Sequence, residues 1–378
     1  MPVSGSFLAL GLFMGVWTVA TPEVERALGA GPERLGLVLS AALVVAAGFN
    51  SAAGALAERR GTTTALRLTL VPWAVALAVG SVMPAPFGVA IGIVVVLSAG
   101  GAVDVVANVA ATAALAARPG RLVRLHAVFN VGGAVGTVLV GVLLGVTGTV
   151  GWRWAWAVTA VLVVVLTASS AGIELPAGRV GERVRAIEGF RVLRRERMVP
   201  LASAFAVGAL VEGGVGTWGV LQLRGQLDSG LLLGVGGALG GYLVAVMARL
   251  SVSGVASAAA ARRAVVGGTV TCATGLVLLA AVPVPWIATV GLVMAAGGIS
   301  VCWPLLMSEV GRGRDRPGVL VGAVTTLGYL GSVIGPAVIG LVAATFGVAA
   351  GLGVLAGCAL LVPILLFSGR FAPKCGAG

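Results

Sequence analysis

Residues 174–197 read ELPAGRVGERVRAIEGFRVLRRER. Seven arginines and four glutamates fall in this short run, in a chain of which only 10% is charged. Residues 1–173 before it and 198–378 after it are strongly apolar. A polar bridge between two oily halves of similar length is the layout of a duplicated membrane protein. Composition agrees: 58% of the residues are hydrophobic, 60 are glycine, and the mean hydropathy is +1.09. Soluble domains carry roughly 25% charged residues, so this chain has too little polar surface to cover a soluble fold of its size.

A membrane helix takes about 20 mostly apolar residues. That measure predicts six spans near 5–26, 34–56, 64–83, 87–116, 124–148 and 153–173. Six more follow the bridge, near 198–223, 229–250, 264–282, 286–309, 318–343 and 349–368. The expected domains are therefore a six-helix bundle over 1–173, a cytoplasmic linker over 174–197, a second bundle over 198–369 and a tail over 370–378. With both termini inside, twenty-one basic residues fall on the cytoplasmic side, Arg249, Arg262 and Arg263 among them. Only Arg26, Arg34, Arg153 and Arg224 fall outside. This is the positive-inside bias of a protein of the cytoplasmic membrane.

The formal charge of +12 does not indicate nucleic acid, because the arginines sit in short clusters between apolar runs and form no basic face with interleaved aromatics. Cys272, Cys302, Cys358 and Cys375 show no metal-ligand spacing, so neither a metal nor another cofactor is expected. The expected partners are the lipid bilayer, a small-molecule substrate and protons, for a chain acting as a monomer.

The two halves also echo each other. Gly132, Gly136, Gly141 and Gly148 in the fifth span recur as Gly331, Gly335, Gly340 and Gly347 in the eleventh, all displaced by 199 positions. Ala99-Gly100-Gly101 recurs as Ala296-Gly297-Gly298. Small residues four apart let helices approach closely. Pro336, which follows Gly335, removes a backbone donor, so these positions read as packing and hinge points.

Twelve spans, a 6+6 repeat and a basic central loop resemble the major facilitator superfamily of secondary transporters. Gly54-Ala-Leu-Ala-Glu58-Arg59-Arg60-Gly61 looks like that superfamily's signature loop, with Glu58 in place of the usual Asp and Thr62 to Thr64 where distal basic residues stand. The chain is also similar to a bacterial subgroup related to sugar and fucose permeases. The residues carrying that similarity are Gly15-Val-Trp17, Asp104-Val-Val-Ala-Asn108, His126-Ala-Val-Phe129, and Glu212 ahead of Trp218. The resemblance implies an all-α membrane fold of two pseudo-symmetric six-helix bundles working by alternating access. It also implies a gate in which Glu58, beside Arg59, pairs with a cytoplasmic arginine such as Arg118.

Charged groups at bilayer depth cost at least ~2.5–3.5 kcal/mol and mark pathways, and Asp104 and Glu212 are the two acids well inside predicted spans. Asn108 lies one turn from Asp104, and His126 and Asn130 form a similar pair on the next helix. These four, with Glu212, are candidates to bind protons or a polar substrate. The competing reading is a polar clasp between helices. Trp17 and Trp218 are candidates to stack on a ligand ring, whereas Trp152, Trp154 and Trp156 read as interface anchors. Asn50 and Gln222 read as structural. The scarcity of cavity charge points to a neutral or weakly basic solute.

A proton gradient is the expected driver, since titratable groups are present and a Walker-type loop is not. Import of a sugar-like solute and export of a metabolite or drug both fit. A membrane-embedded enzyme would need a cluster of nucleophile and base, and a channel a charged ring or filter loop; neither pattern occurs.

Overall fold

A computed structural model describes residues 2–29, 31–115, 119–170, 172–175, 186–255, 257–311 and 317–368. The elements among them are helical. The first half holds α1 (Pro2–Ala27), α2 (Pro32–Arg60), α3 (Thr62–Val82), α4 (Phe87–Leu115), α5 (Pro119–Thr147) and α6 (Gly151–Ser169). The bridge contributes the short α7 (Ala186–Arg195). The second half holds α8 (Val199–Leu221), α9 (Gly230–Val252), α10 (Ala258–Ala281), α11 (Pro285–Ile299), α12 (Cys302–Gly311), α13 (Pro317–Phe346) and α14 (Val348–Ser368). In hydrocarbon every backbone polar group must be satisfied within its own segment, which is why so apolar a chain becomes helical throughout. Ten stretches among the described residues are long and apolar enough to cross a membrane. One of these, 125–169, holds both α5 and α6, and α13 adds a crossing, which gives twelve.

The two sets of six pack alike. Within the first, α1 lies on α5 and α6, α3 on α4 and α6, and α2 on α4. The second repeats this with α8 on α13 and α14, α10 on α11 and α14, and α9 on α11. Between the bundles the matched contacts are α2 with α13 and α5 with α9. The displaced glycines explain the match. A methyl group at Gly132 would fall on the carbonyl of Leu8, and one at Gly331 on the carbonyl of Ala206. Gly136 rests on Leu12 and Gly335 on Leu210. Glycines one repeat apart thus let the backbones of α1/α5 and of α8/α13 touch in the same register. The echo in the tenth span is different. Gly100 faces α3 and Gly101 faces α2, whereas Gly297 faces α9 and Gly298 faces α10, so the matched letters do not occupy matched places.

Two further expectations are corrected. The span predicted at 286–309 is not one helix but α11 and α12, with a turn at Ser300–Val301. Pro304 is the cause, because a proline cannot donate to the carbonyl four residues back and its ring collides with it; that carbonyl belongs to Ser300. The tryptophans at the entry to α6 are not all anchors. Trp152 and Trp156 are fully buried and packed edge-to-face at 5.1 Å, while Trp154 alone of the three is exposed. Elsewhere α13 runs unbroken through Pro336. At Gly61, with φ +80°, the backbone adopts the left-handed region that glycine allows in the turn from α2 to α3.

Candidate functional site

The α1–α2, α5–α6, α8–α9 and α13–α14 connections share one end of the bundle, here termed the turn end. The bridge and the end of α14 lie at the other, the terminal end. Polar side chains meet between the bundles at mid-depth and at the turn end.

At mid-depth the centre is an ion pair within the second bundle. Glu212 of α8 accepts from Arg249 of α9, Nη2 to Oε1 at 2.7 Å. Arg249 Nε donates to the carbonyl of Ser300 at 3.1 Å. That carbonyl is the one Pro304 frees, so the broken tenth crossing supplies an acceptor and the guanidinium closes the end of α11. Arg249 is therefore a buried residue of the site and not the solvated loop residue its position suggested. Its partner is more open: the Glu212 side chain is 35% exposed against 10% for Arg249. Arg249 screens the carboxylate from behind, and the other carboxylate oxygen remains for solvent or solute.

Tyr242, two turns before Arg249 on α9, ties this pair to the first bundle. Its ring covers Gly133 of α5, where any side chain would collide with it. Its hydroxyl stands 3.3 Å from Thr18 Oγ1 of α1. Thr18 spends its own proton on the Met14 carbonyl at 2.9 Å, so Tyr242 is the donor between the two. One turn to either side of Gly133 lie Asn130 and Thr137, both buried, whose Nδ2 and Oγ1 atoms have no hydrogen-bond partner among the described residues. Buried polar atoms are normally satisfied. Two such atoms flanking a bundle-spanning tyrosine are suited to meeting polar groups of a solute.

Asp104 and Asn108 form the expected pair on α4: Asn108 Nδ2 donates to Asp104 Oδ1 and to the Asp104 carbonyl, each at 2.9 Å. Among the described residues no hydrogen bond or ion pair joins them to His126, whose ring instead packs edge-to-face on Phe7 at 5.2 Å. Trp17 and Trp218 are both buried in the helix packing. Asn50 leans on Gly101 with its Oδ1 unpartnered among the described residues. Of the signature-loop residues, Gly54 is buried in α2 and Arg59 is exposed. The side chain of Glu58, and Arg118 altogether, lie outside the described residues.

At the turn end is a second ion pair that sequence reading missed. Glu23 of α1 accepts both arms of the Arg224 guanidinium, with Nη1 to Oε2 at 2.8 Å. Arg224 also donates to the Val19 carbonyl at 2.8 Å. Arg224 is thus an inter-bundle residue and not a free outer-loop charge, and Glu23, near the end of the first span, is buried. Arg224 sits in a π-helical turn, Gln222–Gln226, that ends α8; Gln222 is buried there with its Oε1 unpartnered among the described residues. Such turns cluster at functional positions.

The comparisons with known proteins agree with one another. The chain is 25% identical over 347 residues to an uncharacterized MFS-type transporter of Yersinia pestis, covering 89% of this chain and 87% of that protein. Its fold resembles the crystal structure of the human organic anion transporter MFSD10 (TM-score 0.71, 18% identity, 96% and 98% of the two chains). It also resembles a partially occluded inward-open structure of the xylose transporter XylE from E. coli (TM-score 0.69, 14% identity, 100% and 99%). A family profile described as Major Facilitator Superfamily matches residues 3–336. Twelve apolar helices in two matched bundles, a polar centre between them and that nearly full-length match lead to one conclusion: the chain belongs to the Major Facilitator Superfamily and is a multi-pass membrane transporter, not an enzyme.

Proposed function

We propose that the protein is a proton-coupled secondary transporter whose solute site lies between the bundles, on Glu212, Arg249, Tyr242 and the α5 row Asn130–Thr137. Residues 1–173 and 198–369 act as the two moving bodies, joined by 174–197. On the arginine distribution the terminal end faces the cytoplasm and the membrane is the bacterial cytoplasmic one, in which the chain works as a monomer. Asp104, Asn108 and His126 form an auxiliary polar path on the first bundle, Trp17 and Trp218 shape the walls, and Glu58 with Arg59 and Arg118 closes the inner gate. Gly132, Gly136, Gly331, Gly335 and Pro336 are the surfaces on which the rocking helices rest.

The observation that carries this reading is the half-exposed carboxylate of Glu212 backed by a buried guanidinium. Buried ionisable groups between the helices of a membrane bundle are costly and mark ion and substrate routes. A broken helix offering a freed carbonyl at mid-depth is a recurrent feature of transporter sites. A proton arriving from the aqueous cavity adds to the Glu212 oxygen that Arg249 does not hold, which cancels the carboxylate charge and loosens the pair. Before that proton arrives, the solute offers hydroxyl or amine hydrogens to the carboxylate and acceptors to Asn130. With Glu212 neutralised by Arg249, the centre suits an uncharged or weakly basic, hydroxyl-bearing molecule.

A thermal-shift screen of the purified protein against sugars, polyols and antibiotics identifies ligands, which are then followed in proteoliposomes under an imposed pH gradient. Uptake driven by inward proton flow assigns symport; expulsion assigns antiport. Glu212→Gln is expected to abolish pH-driven accumulation while leaving solute exchange measurable. Wild-type pH-driven rates in both Glu212→Gln and Asp104→Asn would reject proton coupling through these residues.

A further inference from the structure

The arginines at the two ends of the bundle are used differently. At the turn end each of the four is held by the protein itself. Arg26 and Arg224 donate to Glu23, Arg34 to the Leu28 carbonyl, and Arg153 to the carbonyls of Ser81 and Met83. At the terminal end, Arg191, Arg194 and Arg195 of α7 and Arg197 just beyond it are exposed. Their guanidinium groups have no hydrogen bond or ion pair among the described residues. The run 186–197 holds these four arginines against two glutamates.

The end of α7 shows that this outward face is built. Arg197 N donates to the Arg194 carbonyl at 3.2 Å and Met198 N to the Leu193 carbonyl at 2.7 Å, the bond pair of a Schellman cap. Leu193 and Met198 are fully buried, and α7 packs on α13 and α8 of the second bundle. The helix thus spends its apolar side on the protein and turns its basic side out. In such a cap the residue after the helix is left-handed and is normally glycine. Here it is Arg197, with φ +55°. A side chain kept where the backbone favours none points to a use for that side chain. Arg194 and Arg195 in the last turn also suit the helix dipole, but that effect asks nothing of position 197. The apolar span of α8 begins at Val199, so at most about 7 Å of chain separates Arg197 from it. The four guanidinium groups therefore stand beside the headgroup layer, where the available anions are lipid phosphates.

We infer that the outer face of α7 is a binding site for anionic phospholipid. Arg191, Arg194 and Arg195, at i, i+3 and i+4, and Arg197 at the cap donate to phosphate oxygens of phosphatidylglycerol-type headgroups. Because α7 is docked on α8 and α13, the bound lipid fastens the second bundle to the membrane surface. The inference is independent of the solute and of proton coupling.

The purified full-length chain in neutral detergent is melted with rising dioctanoyl phosphatidylglycerol, with the matching phosphatidylcholine, and with inorganic phosphate. The wild-type melting temperature is expected to rise only with phosphatidylglycerol. A basic residue near an anionic surface strengthens binding roughly five-fold. Replacing all four arginines by glutamine is therefore expected to move the half-maximal lipid concentration up by more than tenfold. Arg197→Gly is the sharper variant. Glycine relieves the cap, so the lipid-free protein is expected to melt higher than wild type, yet to need roughly five-fold more lipid. Arg60→Gln/Arg263→Gln removes two other exposed arginines of the same end and is expected to titrate as wild type. A quadruple variant that titrates as wild type would overturn the site, and so would an equal loss in Arg60→Gln/Arg263→Gln. A wild-type response to inorganic phosphate as large as that to the lipid would overturn the lipid assignment.

Discussion

Arg249 shows how much a single residue can hide in a sequence. Its neighbours, Met247-Ala-Arg249-Leu250, lie at the end of an apolar run where an arginine ordinarily reaches water, and the positive-inside rule counts it there. Only the packing reveals that it turns inward to Glu212 and Ser300. Asp104 and Glu212 were legible because an acid within an apolar span has few innocent explanations; Arg249, Arg224 and Glu23 were not, because each lies within a turn or so of a span end. Removing one partner of a buried pair costs on the order of 3–5 kcal/mol, much of it for the charge left behind. The two members of this pair are not equivalent. Arg249→Met leaves a carboxylate that is 35% exposed and can hydrate, so its loss is expected below that range. Glu212→Met leaves a guanidinium that is 10% exposed, and is expected to lower the melting temperature more. The double variant Glu212→Met/Arg249→Met is expected to be more stable than the sum of the single losses predicts; thermal melting in detergent checks both the ranking and the coupling. Additive losses would show that the pair is not coupled.

At the scale of the element, glycine decides how near two helices come. Gly132 and Gly331 each place a backbone carbonyl of the partner helix where a methyl would stand, whereas Gly48 and Gly213 have nothing within 4 Å. Alanine at the first two sites must push α5 off α1 or α13 off α8, and overpacking of this kind costs about 1–3 kcal/mol. Alanine at Gly48 or Gly213 meets no neighbour and recovers up to about 1 kcal/mol of helix propensity. Melting temperatures are therefore expected to fall for Gly132→Ala and Gly331→Ala and to hold or rise for Gly48→Ala and Gly213→Ala. Equal responses at all four would remove the close-approach argument. The spacing of 199 made the first two glycines readable in advance. The break at Ser300 was within reach too, because Pro304 stands in the middle of a predicted span, but hydropathy alone sees only an apolar stretch. The Ala-Gly-Gly match misled for the opposite reason: letters in register carry no information about which neighbour each faces.

For the molecule as a whole, class and helix count were plain from composition, hydropathy and the arginine-rich bridge, since a bilayer leaves a chain few choices. The relation between the bundles was less legible, because it depends on long-range pairs such as Thr18–Tyr242 and Glu23–Arg224 that follow no local pattern. One consequence can be tested covalently. An ideal Cβ at Gly141 lies 3.6 Å from the Cβ of Val235, within the range a disulfide spans. Oxidised Gly141→Cys/Val235→Cys, without the native cysteines, is expected to stop transport in proteoliposomes, and a reductant to restore it. Undiminished transport in the cross-linked form would mean that these helices do not separate in the cycle.

The mirrored architecture is loaded unevenly. Glu212, Tyr242 and Arg249 all ride on the carboxy-terminal half, and the first half answers them with amides and hydroxyls, Asn130, Thr137 and Thr18. A solute gripped by that trio would be a passenger of that half while the other swings past it as a door. Ancestral duplication would then have yielded a carrier with a holder and a shutter, two jobs divided between sister scaffolds of the same shape.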